Sequence, residues 1–367
     1  MKLSSFAKIA ALGGVAALTL TACAANEGGA PADGSDSDST SSLSGTLSGA
    51  GASSQDAAQQ AWIAGFQTAH AEVTVNYDPT GSGAGRETFQ QGAAQFAGSD
   101  RAFKTDEISA GPFDACSTDD IVEIPAYISP IAIVFNIDGI DSLNMDAETV
   151  AKIFTGKITK WNDPAIADAN PDAKLPDTDI KPVHRSDKSG TTGNVTEYLE
   201  AASGGAWSAG AVEEWPSELG GEAAQGTSGV VQAVTDGSGM IGYVDASKAE
   251  GLGSVAIKVG DEYVPFSSEA AAAIVDVSEI EGGRTDHDLA IALDRASTEA
   301  GVYPIVLISY LISCEKYEDA TQAELVKSYF SYIVSEEGQE QAASAAGSAP
   351  ISSELRSKIE PAIESIS

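Results

Sequence analysis

Apolar residues near the start of the chain recur with two different periods. Residues 73–77 alternate between apolar and polar side chains, which is typical of a half-buried strand. Apolar residues at helical spacing flank this segment and predict one helix before it and one after it. The helical positions are Ala58, Trp62, Phe66 and Ala69, followed by Phe89, Ala93 and Phe96. With a short strand at 44–47, the order is strand, helix, strand, helix, which predicts an α/β fold built on a parallel sheet.

Three later segments are predicted to be strands in the protein interior. Residues 128–136 and 302–312 are almost continuously apolar, as expected of strands covered on both faces, and residues 240–244 form a shorter apolar run. In sheets of this kind, ligands bind beyond the carboxyl ends of the strands, where a strand turns into a helix. The turns that follow the strands are therefore the places to look for a site.

The first 22 residues have the features of an export signal. Lys2 and Lys8 begin it, and the apolar stretch at 9–20 is short of the about 20 residues needed to span a bilayer. The stretch ends in Leu-Thr-Ala-Cys, and small residues before Cys23 resemble a bacterial lipobox, in which the cysteine is lipidated. We expect a protein anchored through Cys23 to the outer face of the cell membrane, with an ordinary secretory signal as the alternative. Residues 23–43 are polar and lack aromatic residues, which predicts a disordered tether.

The charge of the chain excludes one class of partner. The formal net charge is −34, and removal of residues 1–22 makes it more negative still, because that segment carries two lysines and no acidic residue. A surface of this charge is unsuited to nucleic acid. It repels small anions at long range as well, but salt screens charges beyond roughly 8–10 Å, so local donors decide the affinity for an anion.

The cysteines and histidines allow a disulfide and argue against a metal site. Cys116 and Cys314 remain besides Cys23, and in an exported chain such a pair favours a disulfide, with two separate buried thiols as the alternative. His70, His184 and His287 are far apart and show no metal-ligand spacing. We expect no metal and no cofactor.

Four turns rich in glycine and hydroxyl residues carry the candidate chemistry. They lie at 49–54, 81–85, 98–100 and 184–192. The last one combines a guanidinium, an ammonium and several hydroxyls just before a predicted helix, and converging donors of this kind suit a tetrahedral oxyanion. A single turn of this composition is usually a plain loop. The pattern places three of them at strand ends and the turn at 98–100 after a helix, and together they indicate an anion site.

In this order, these stretches resemble the phosphate-binding proteins of high-affinity bacterial phosphate ABC importers. The resemblance extends over residues 44–367, which is nearly the whole globular part. It rests on GAGAS (49–53), VNYDPTGSGAG (75–85), FAGSD (96–100), IFTGKITKWNDPAI (153–166), HRSDKSGTT (184–192) and GMIGYVD (239–245).

The resemblance implies a type II periplasmic-binding-protein fold, in which two α/β lobes with parallel sheets are joined by a two-strand hinge. Lobe one would comprise 44–125 and 303–367, lobe two would comprise 126–302, and a Cys116–Cys314 disulfide would tie the two parts of lobe one together. Asp100 would accept a proton of the ligand, and Asp187 would orient Arg185. The phosphate-binding set carried over by position is Ser53, Ser54, Ser82, Asp100, Arg185, Asp187, Ser189, Gly190 and Thr191.

The implied function is capture of inorganic phosphate outside the membrane and its delivery to an ABC permease, without catalysis. The alternatives are an exported phosphatase that uses the same donors and a binder of another oxyanion on the same fold. A catalytic triad of His184, Asp187 and Ser189 is disfavoured, because residues so close in sequence rarely reach the relay geometry. Many relatives have Thr-Phe where this chain has Ser53-Ser54, so the apolar wall that a phenylalanine supplies is missing here.

Overall fold

The computed structural model describes residues 43–367, which form one compact unit. Residues 1–42 lie outside the described range and include the predicted signal peptide, Cys23 and nearly all of the predicted tether. The strands are β1 (Gly45–Gly51), β2 (Val73–Asp78), β3 (Phe96–Ser99), β4 (Ile121–Phe135), β5 (Ser142–Met145), β6 (Lys181–Arg185), β7 (Glu222–Ala224), β8 (Met240–Asp245), β9 (Gly253–Val259), β10 (Glu262–Val264), β11 (Glu279–Ile280), β12 (Ile291–Ala292) and β13 (Val306–Cys314).

The helices alternate with strands in the first part of the chain and follow one another at its end. They are α1 (Asp56–Ala69), α2 (Ser82–Gln90), α3 (Thr105–Ala110), α4 (Ala147–Phe154), α5 (Pro164–Ala167), α6 (Gly190–Ala202), α7 (Gly226–Asp236), α8 (Ser268–Asp276), α9 (Ala320–Val334), α10 (Glu336–Ala346) and α11 (Ser353–Glu364). Within residues 43–367, none of them combines the length and the apolar character that a bilayer-spanning helix requires.

The strand–helix alternation predicted for the N-terminal region is confirmed. β1 pairs in parallel with β2 on one side and with β3 on the other, and α1 and α2 connect them. Trp62 and Phe66 are buried on α1, as their spacing predicts. A parallel order places the carboxyl ends of all three strands at one edge of the sheet.

The assignment of Phe96 to a helix is wrong. Helix α2 ends at Gln90, Gly92 adopts a left-handed conformation with φ of 70°, and Phe96 begins β3. Its ring lies over Gly49 of β1, where an added Cβ would come within 2.1 Å of the ring. The cross-strand pairing of Gly49 with Phe96 therefore overrides the local helical spacing.

The long apolar segments form the centre of the sheet, as predicted. All residues of β4 and β13 are buried. The sheet order is β2-β1-β3-β13-β4-β8-β6-β7, and β9 attaches to β4, β5 and β10. The outer pairs are parallel, but β13 and β4 run antiparallel to their neighbours, so the sheet is mixed rather than purely parallel.

Strand β4 links the two ends of the sheet because it changes its partner along its length. Residues 121–130 pair with β13, whereas residues 131–135 pair with β8. The fold is thus a mixed α/β architecture, consistent with the periplasmic-binding-protein fold that the resemblance implies.

The predicted disulfide between Cys116 and Cys314 is present. Cys314 ends β13 and is fully buried, and Cys116 forms an isolated bridge with Tyr317 beside it. The bond joins residues 198 positions apart, so it connects the N-terminal region to the segment that leads into the C-terminal helices. A crosslink over so long a loop restricts mainly the unfolded chain.

Loss of this disulfide is expected to lower stability strongly. The chain-entropy model gives about 5 kcal/mol for a loop of this length. The double variant Cys116→Ala/Cys314→Ala should therefore unfold at a much lower denaturant concentration than the wild type, as measured by circular dichroism. Two reactive thiols in the unfolded, unreduced domain of the wild-type protein would contradict the bond itself.

Candidate functional site

Three of the small-residue turns lie together at the carboxyl edge of the parallel strands β1, β2 and β3. A 3-10 helix at Ser53–Gln55 follows β1, Ser82 begins α2 after β2, and Asp100 follows β3 directly. The prediction that the turn at 98–100 follows a helix is wrong, because Gly98 and Ser99 are the end of strand β3. We call Ser53, Ser54, Ser82 and Asp100 the N-terminal half-site.

The stretch at 184–192 forms a strand-to-helix turn, as predicted. Arg185 is the last residue of β6, and Gly190 is the first residue of α6. Ser189 caps this helix, because its Oγ accepts a hydrogen bond of 3.2 Å from the N–H of Thr192. The C-terminal half-site is the set Arg185, Asp187, Ser189, Gly190 and Thr191.

The two half-sites are in direct contact. A Cβ added to Gly190 would lie 2.5 Å from Cβ of Asp100 and 2.6 Å from Oγ of Ser82, so only glycine permits this approach. The N–H of Gly83 donates to the carbonyl of Lys188 at 3.1 Å. The structure therefore brings together all nine residues proposed from the sequence, and it buries most of them.

Helices α2 and α6 both begin at this contact. The first N–H groups of a helix have no acceptor within the helix itself. The N–H groups of Ser82, Gly190 and Thr191 also find no acceptor elsewhere in residues 43–367. Two helix N-termini with free donors and a positive dipole end form a site for an anion.

Arg185 is held in place by Asp187. Its Nε donates to Oδ1 at 2.8 Å, its Nη2 donates to Oδ2 at 2.5 Å, and its Nη1 lies 3.5 Å from Oγ1 of Thr191. Burial alone would raise the pKa of Asp187, but the Arg185 guanidinium and the N–H of Gly226 outweigh it and lower this pKa. Asp187 is thus an ionised partner that fixes the plane of a guanidinium that is 2% exposed.

Asp100 accepts from hydroxyl groups on three different elements. Ser54 Oγ donates to Oδ1 at 2.5 Å, Ser309 Oγ donates to the same oxygen at 2.7 Å, and Thr191 Oγ1 donates to Oδ2 at 3.2 Å. Burial raises the pKa of Asp100, and these hydroxyls together with Arg185 oppose that rise. The carboxyl group of Asp100 is therefore a buried acceptor beside the free N–H donors of the two helix N-termini.

Several residues that complete the site were not predicted from the sequence. Thr227 of α7 contacts Ser53, with 3.1 Å between their hydroxyl oxygens, and Asn194 Nδ2 donates to the carbonyl of Asp100 at 2.7 Å. Ser309 lies in the middle of β13. The signals were the Gly-Thr-Ser-Gly sequence at 226–229, which begins α7, and a serine within the apolar segment at 302–312.

The arrangement can surround a small anion without a metal ion. Within residues 43–367 there is no group of three or more His, Cys, Asp or Glu side chains placed to hold a metal. His184 stacks on Trp215, with 4.9 Å between ring centroids, and its Nδ1 contacts the carbonyl of Arg185 instead of Ser189. The ring of His184 is therefore engaged with Trp215 and the backbone at this turn.

Fold and site together define a binding protein for a small oxyanion. A family model described as a PBP superfamily domain matches residues 34–337. Phosphate-binding protein PstS 2 of Mycobacterium tuberculosis is 35% identical over 336 residues, which cover 88% of this chain and 87% of that protein. PstS 3 of the same organism is 32% identical over an alignment of 376 residues, which spans 100% of this chain and 100% of that protein. The chain belongs to the PBP superfamily and, within it, to the family of PstS phosphate-binding proteins.

Solved structures support the same fold. The high-affinity periplasmic phosphate-binding protein PfluDING, solved with bound phosphate, superposes with a TM-score of 0.68 at 20% identity and covers 86% of this chain and 93% of that one. The phosphate-binding protein of Stenotrophomonas maltophilia gives a TM-score of 0.63 at 20% identity, covering 87% and 94%.

Proposed function

We propose that this protein captures inorganic phosphate outside the cytoplasmic membrane and delivers it to the permease of a phosphate ABC importer. The observation that carries the proposal is the meeting of two helix N-termini, with free N–H groups on Ser82, Gly190 and Thr191, beside Arg185 and Asp100. The PstS relatives, which are named for phosphate binding, support the same ligand.

Each half-site has its own role in this proposal. Ser53 and Ser82 donate from the N-terminal half-site, and Ser54 donates through its backbone N–H because its hydroxyl is bonded to Asp100. Asp100 accepts a hydrogen bond from the protonated oxygen of the ligand. Arg185 donates a forked pair of hydrogen bonds from the C-terminal half-site, and Asp187 orients it. Ser189, Gly190 and Thr191 donate from the start of α6, which adds the favourable end of the helix dipole.

Capture follows from closure of two lobes around the anion. We propose that lobe one comprises 44–125 and 303–367 and that lobe two comprises 126–302. The chain would cross between the lobes within β4 and again just before β13. The pairing of β4 with β13 and then with β8 supports a hinge in this strand. Contacts such as Ser53 with Thr227 and Gly83 with Lys188 would form only in the closed state, which the permease would recognise.

The competing function is an exported phosphatase with the same donors. A phosphatase needs an activated nucleophile or a metal-bound water. The position of His184 on Trp215, away from Ser189, and the absence of a metal-binding cluster in residues 43–367 favour binding without turnover.

One titration and one assay test the proposal. Calorimetry with phosphate should show saturable binding at one site per chain, and incubation with a generic aryl phosphate should release no product. Failure to bind phosphate would overturn the proposal, and sustained turnover that depends on Asp100 or Ser189 would favour the phosphatase.

We propose further that Cys23 carries the lipid that anchors the protein to the outer face of the membrane. The motif at 20–23 and the polar segment after it support this. A Cys23→Ala variant should be released into the medium or left unprocessed. Fractionation measures this, and a Cys116→Ala/Cys314→Ala variant with Cys23 intact should stay with the membrane. Equal membrane retention of Cys23→Ala would contradict the anchor.

A further inference from the structure

A chain of buried hydrogen bonds runs from helix α9 to Asp100. Tyr329 OH donates to Oε1 of Gln59 at 2.8 Å, and Gln59 Nε2 donates to Oε1 of Gln55 at 2.8 Å. Gln55 Nε2 donates to Oγ of Ser309 at 2.7 Å, and Ser309 Oγ donates to Oδ1 of Asp100 at 2.7 Å. The side chains between Tyr329 and Asp100 are at most 1% exposed, so water does not compete for these bonds.

The direction of this chain is fixed by its chemistry. An amide nitrogen can only donate, so Gln55 makes Ser309 Oγ an acceptor, and the single proton of that hydroxyl is then left for Asp100. The other N–H of Gln55 is used as well, because Nε2 also donates to the carbonyl of Tyr310 at 3.2 Å. Every member therefore points a donor toward Asp100, and consecutive bonds in one direction strengthen one another.

The two carboxylate oxygens of Asp100 are unequally supplied. Oδ1 accepts from Ser54 at 2.5 Å and from Ser309 at 2.7 Å, whereas Oδ2 accepts only the longer bond of 3.2 Å from Thr191. A proton on Oδ1 would displace one of two short bonds. Oδ2 keeps acceptor capacity for one more donor, and it is the oxygen on the side of the C-terminal half-site, where Thr191 lies.

We propose that Ser309 and Ser54 are specificity-determining residues, which hold Asp100 as an acceptor through Oδ1 and so reserve Oδ2 for the hydroxyl of a protonated oxyanion. The inference rests on the proposed function, since it assigns the selectivity of the same site. The hydroxyl of Ser54 is used by the carboxylate, so the backbone N–H groups of its turn remain for the ligand.

Charged groups lie around Asp100, but its direct hydrogen-bond partners are neutral. Arg185 of β6 favours the ionised carboxylate, and Tyr77 of β2 lies near it with a pKa raised far above the ordinary value, mainly by burial, so it stays neutral. Asp100 also borders a cavity of about 630 Å³, whose charged lining includes Arg101, Lys104, Glu107, Lys188, Glu197 and Glu213. Within residues 43–367, none of these side chains is hydrogen-bonded or ion-paired to Asp100. Removal of a donor from Oδ1 therefore acts on Asp100 without a second titrating partner in direct contact.

The test is the pH dependence of the discrimination between phosphate and sulfate. Ser309→Ala removes the donor at the end of the chain, and Ser54→Ala removes the second donor. A hydrogen bond to a charged group is strong enough to move a titration by roughly one pH unit or more. Sulfate has no proton to donate and binds only when Asp100 is protonated, so sulfate binding should begin at a pH higher by about this amount in each variant.

The matched control is Ser313→Ala. Ser313 is also fully buried in β13, but its hydroxyl donates to the carbonyl of Cys314 and does not reach the site. Calorimetric titrations with phosphate and with sulfate, from neutral to mildly acidic pH, should give the wild-type profile for this control. Thermal unfolding verifies that each variant is folded. If Ser309→Ala does not fold, Ser54→Ala still tests the inference.

The outcomes separate the inference from the proposed function. If the wild type binds phosphate selectively and both serine variants keep its pH profile, the serines do not set specificity and the inference is overturned. If the wild type binds no phosphate, the proposed function itself fails. A shift in both serine variants and none in Ser313→Ala supports the inference.

Discussion

Sulfate should bind the wild-type protein roughly 10⁴–10⁵-fold more weakly than phosphate at neutral pH, because a site built around a ligand hydroxyl rejects an analogue that lacks it. Phosphate keeps at least one proton at this pH and sulfate keeps none. Ionised Asp100 can only accept hydrogen bonds, so it pairs with the P–OH group but meets a bare oxygen of sulfate at close range. In a cleft where Asp100 is 3% exposed, water does not relieve that repulsion.

The Asp100→Asn variant tests the origin of this discrimination. Ser54 and Ser309 hold its carbonyl oxygen at the Oδ1 position, so the amide nitrogen takes the Oδ2 position and can donate to an unprotonated oxygen of either anion. Phosphate binding should persist, and the affinity for sulfate should increase by a factor of ten or more, because the negative charge at position 100 is removed. Arsenate, which keeps a proton, should compete with phosphate in the wild type.

A matched variant controls for the loss of a buried carboxylate. Asp245 of β8 is also fully buried, its pKa is raised to about 6 by burial, and it accepts from Tyr127 outside both half-sites. Asp245→Asn should leave the ratio of phosphate to sulfate affinity unchanged. If calorimetry gives sulfate within about tenfold of phosphate for the wild type, Asp100 is not the selector, and the phosphate assignment loses its main chemical support.

Arg185→Lys should weaken phosphate binding by roughly 10²-fold, since truncation of a buried, hydrogen-bonded charge pair costs about this much or more. The planar guanidinium uses Nε and Nη2 for Asp187 and keeps its remaining N–H groups for the ligand side. A lysine ammonium is a single point donor and cannot satisfy both carboxylate oxygens of Asp187 and the anion together. Asp187 would then lose its guanidinium partner and repel an anion in the site.

Calorimetry with phosphate measures this effect, and Arg356→Lys provides the control. Arg356 lies on α11, with its nearest carboxylate, that of Glu336, 3.5 Å away, and it contributes to neither half-site. The control should bind phosphate like the wild type. Unchanged affinity in Arg185→Lys would show that Arg185 lies outside the site.

The turns that form the site could be predicted from the sequence because their chemistry is local. Glycines and hydroxyl residues between an apolar strand and a helical pattern predict a strand-to-helix turn regardless of where the turn lies in the fold. Ser189, for example, caps α6 by accepting from the N–H of Thr192, three residues further along the chain. The long apolar runs likewise predicted the buried strands β4 and β13, since continuous apolar sequence is stable only when both faces are covered.

The error at Phe96 shows where a local pattern is insufficient. Phe89, Ala93 and Phe96 fit a helical face, but β3 pairs with β1 and β13, and this pairing decides the conformation of Phe96. A hydrophobic period of three or four residues carries no information about strand partners that are distant in sequence. The turn at 98–100 was assigned to the end of a helix for the same reason.

The sequence by itself determined an α/β chain with four donor-rich turns and two cysteines available for a disulfide. Only the tertiary structure decided that Gly190 approaches Asp100 closely enough to exclude a Cβ, and that Ser309, more than 200 residues away, donates to the same carboxylate. The physical reason is that helix or strand propensity, helix capping and the pattern of buried positions depend on residues that are neighbours in sequence. The partner of a buried polar group depends on strand order, which is settled by packing of the whole sheet.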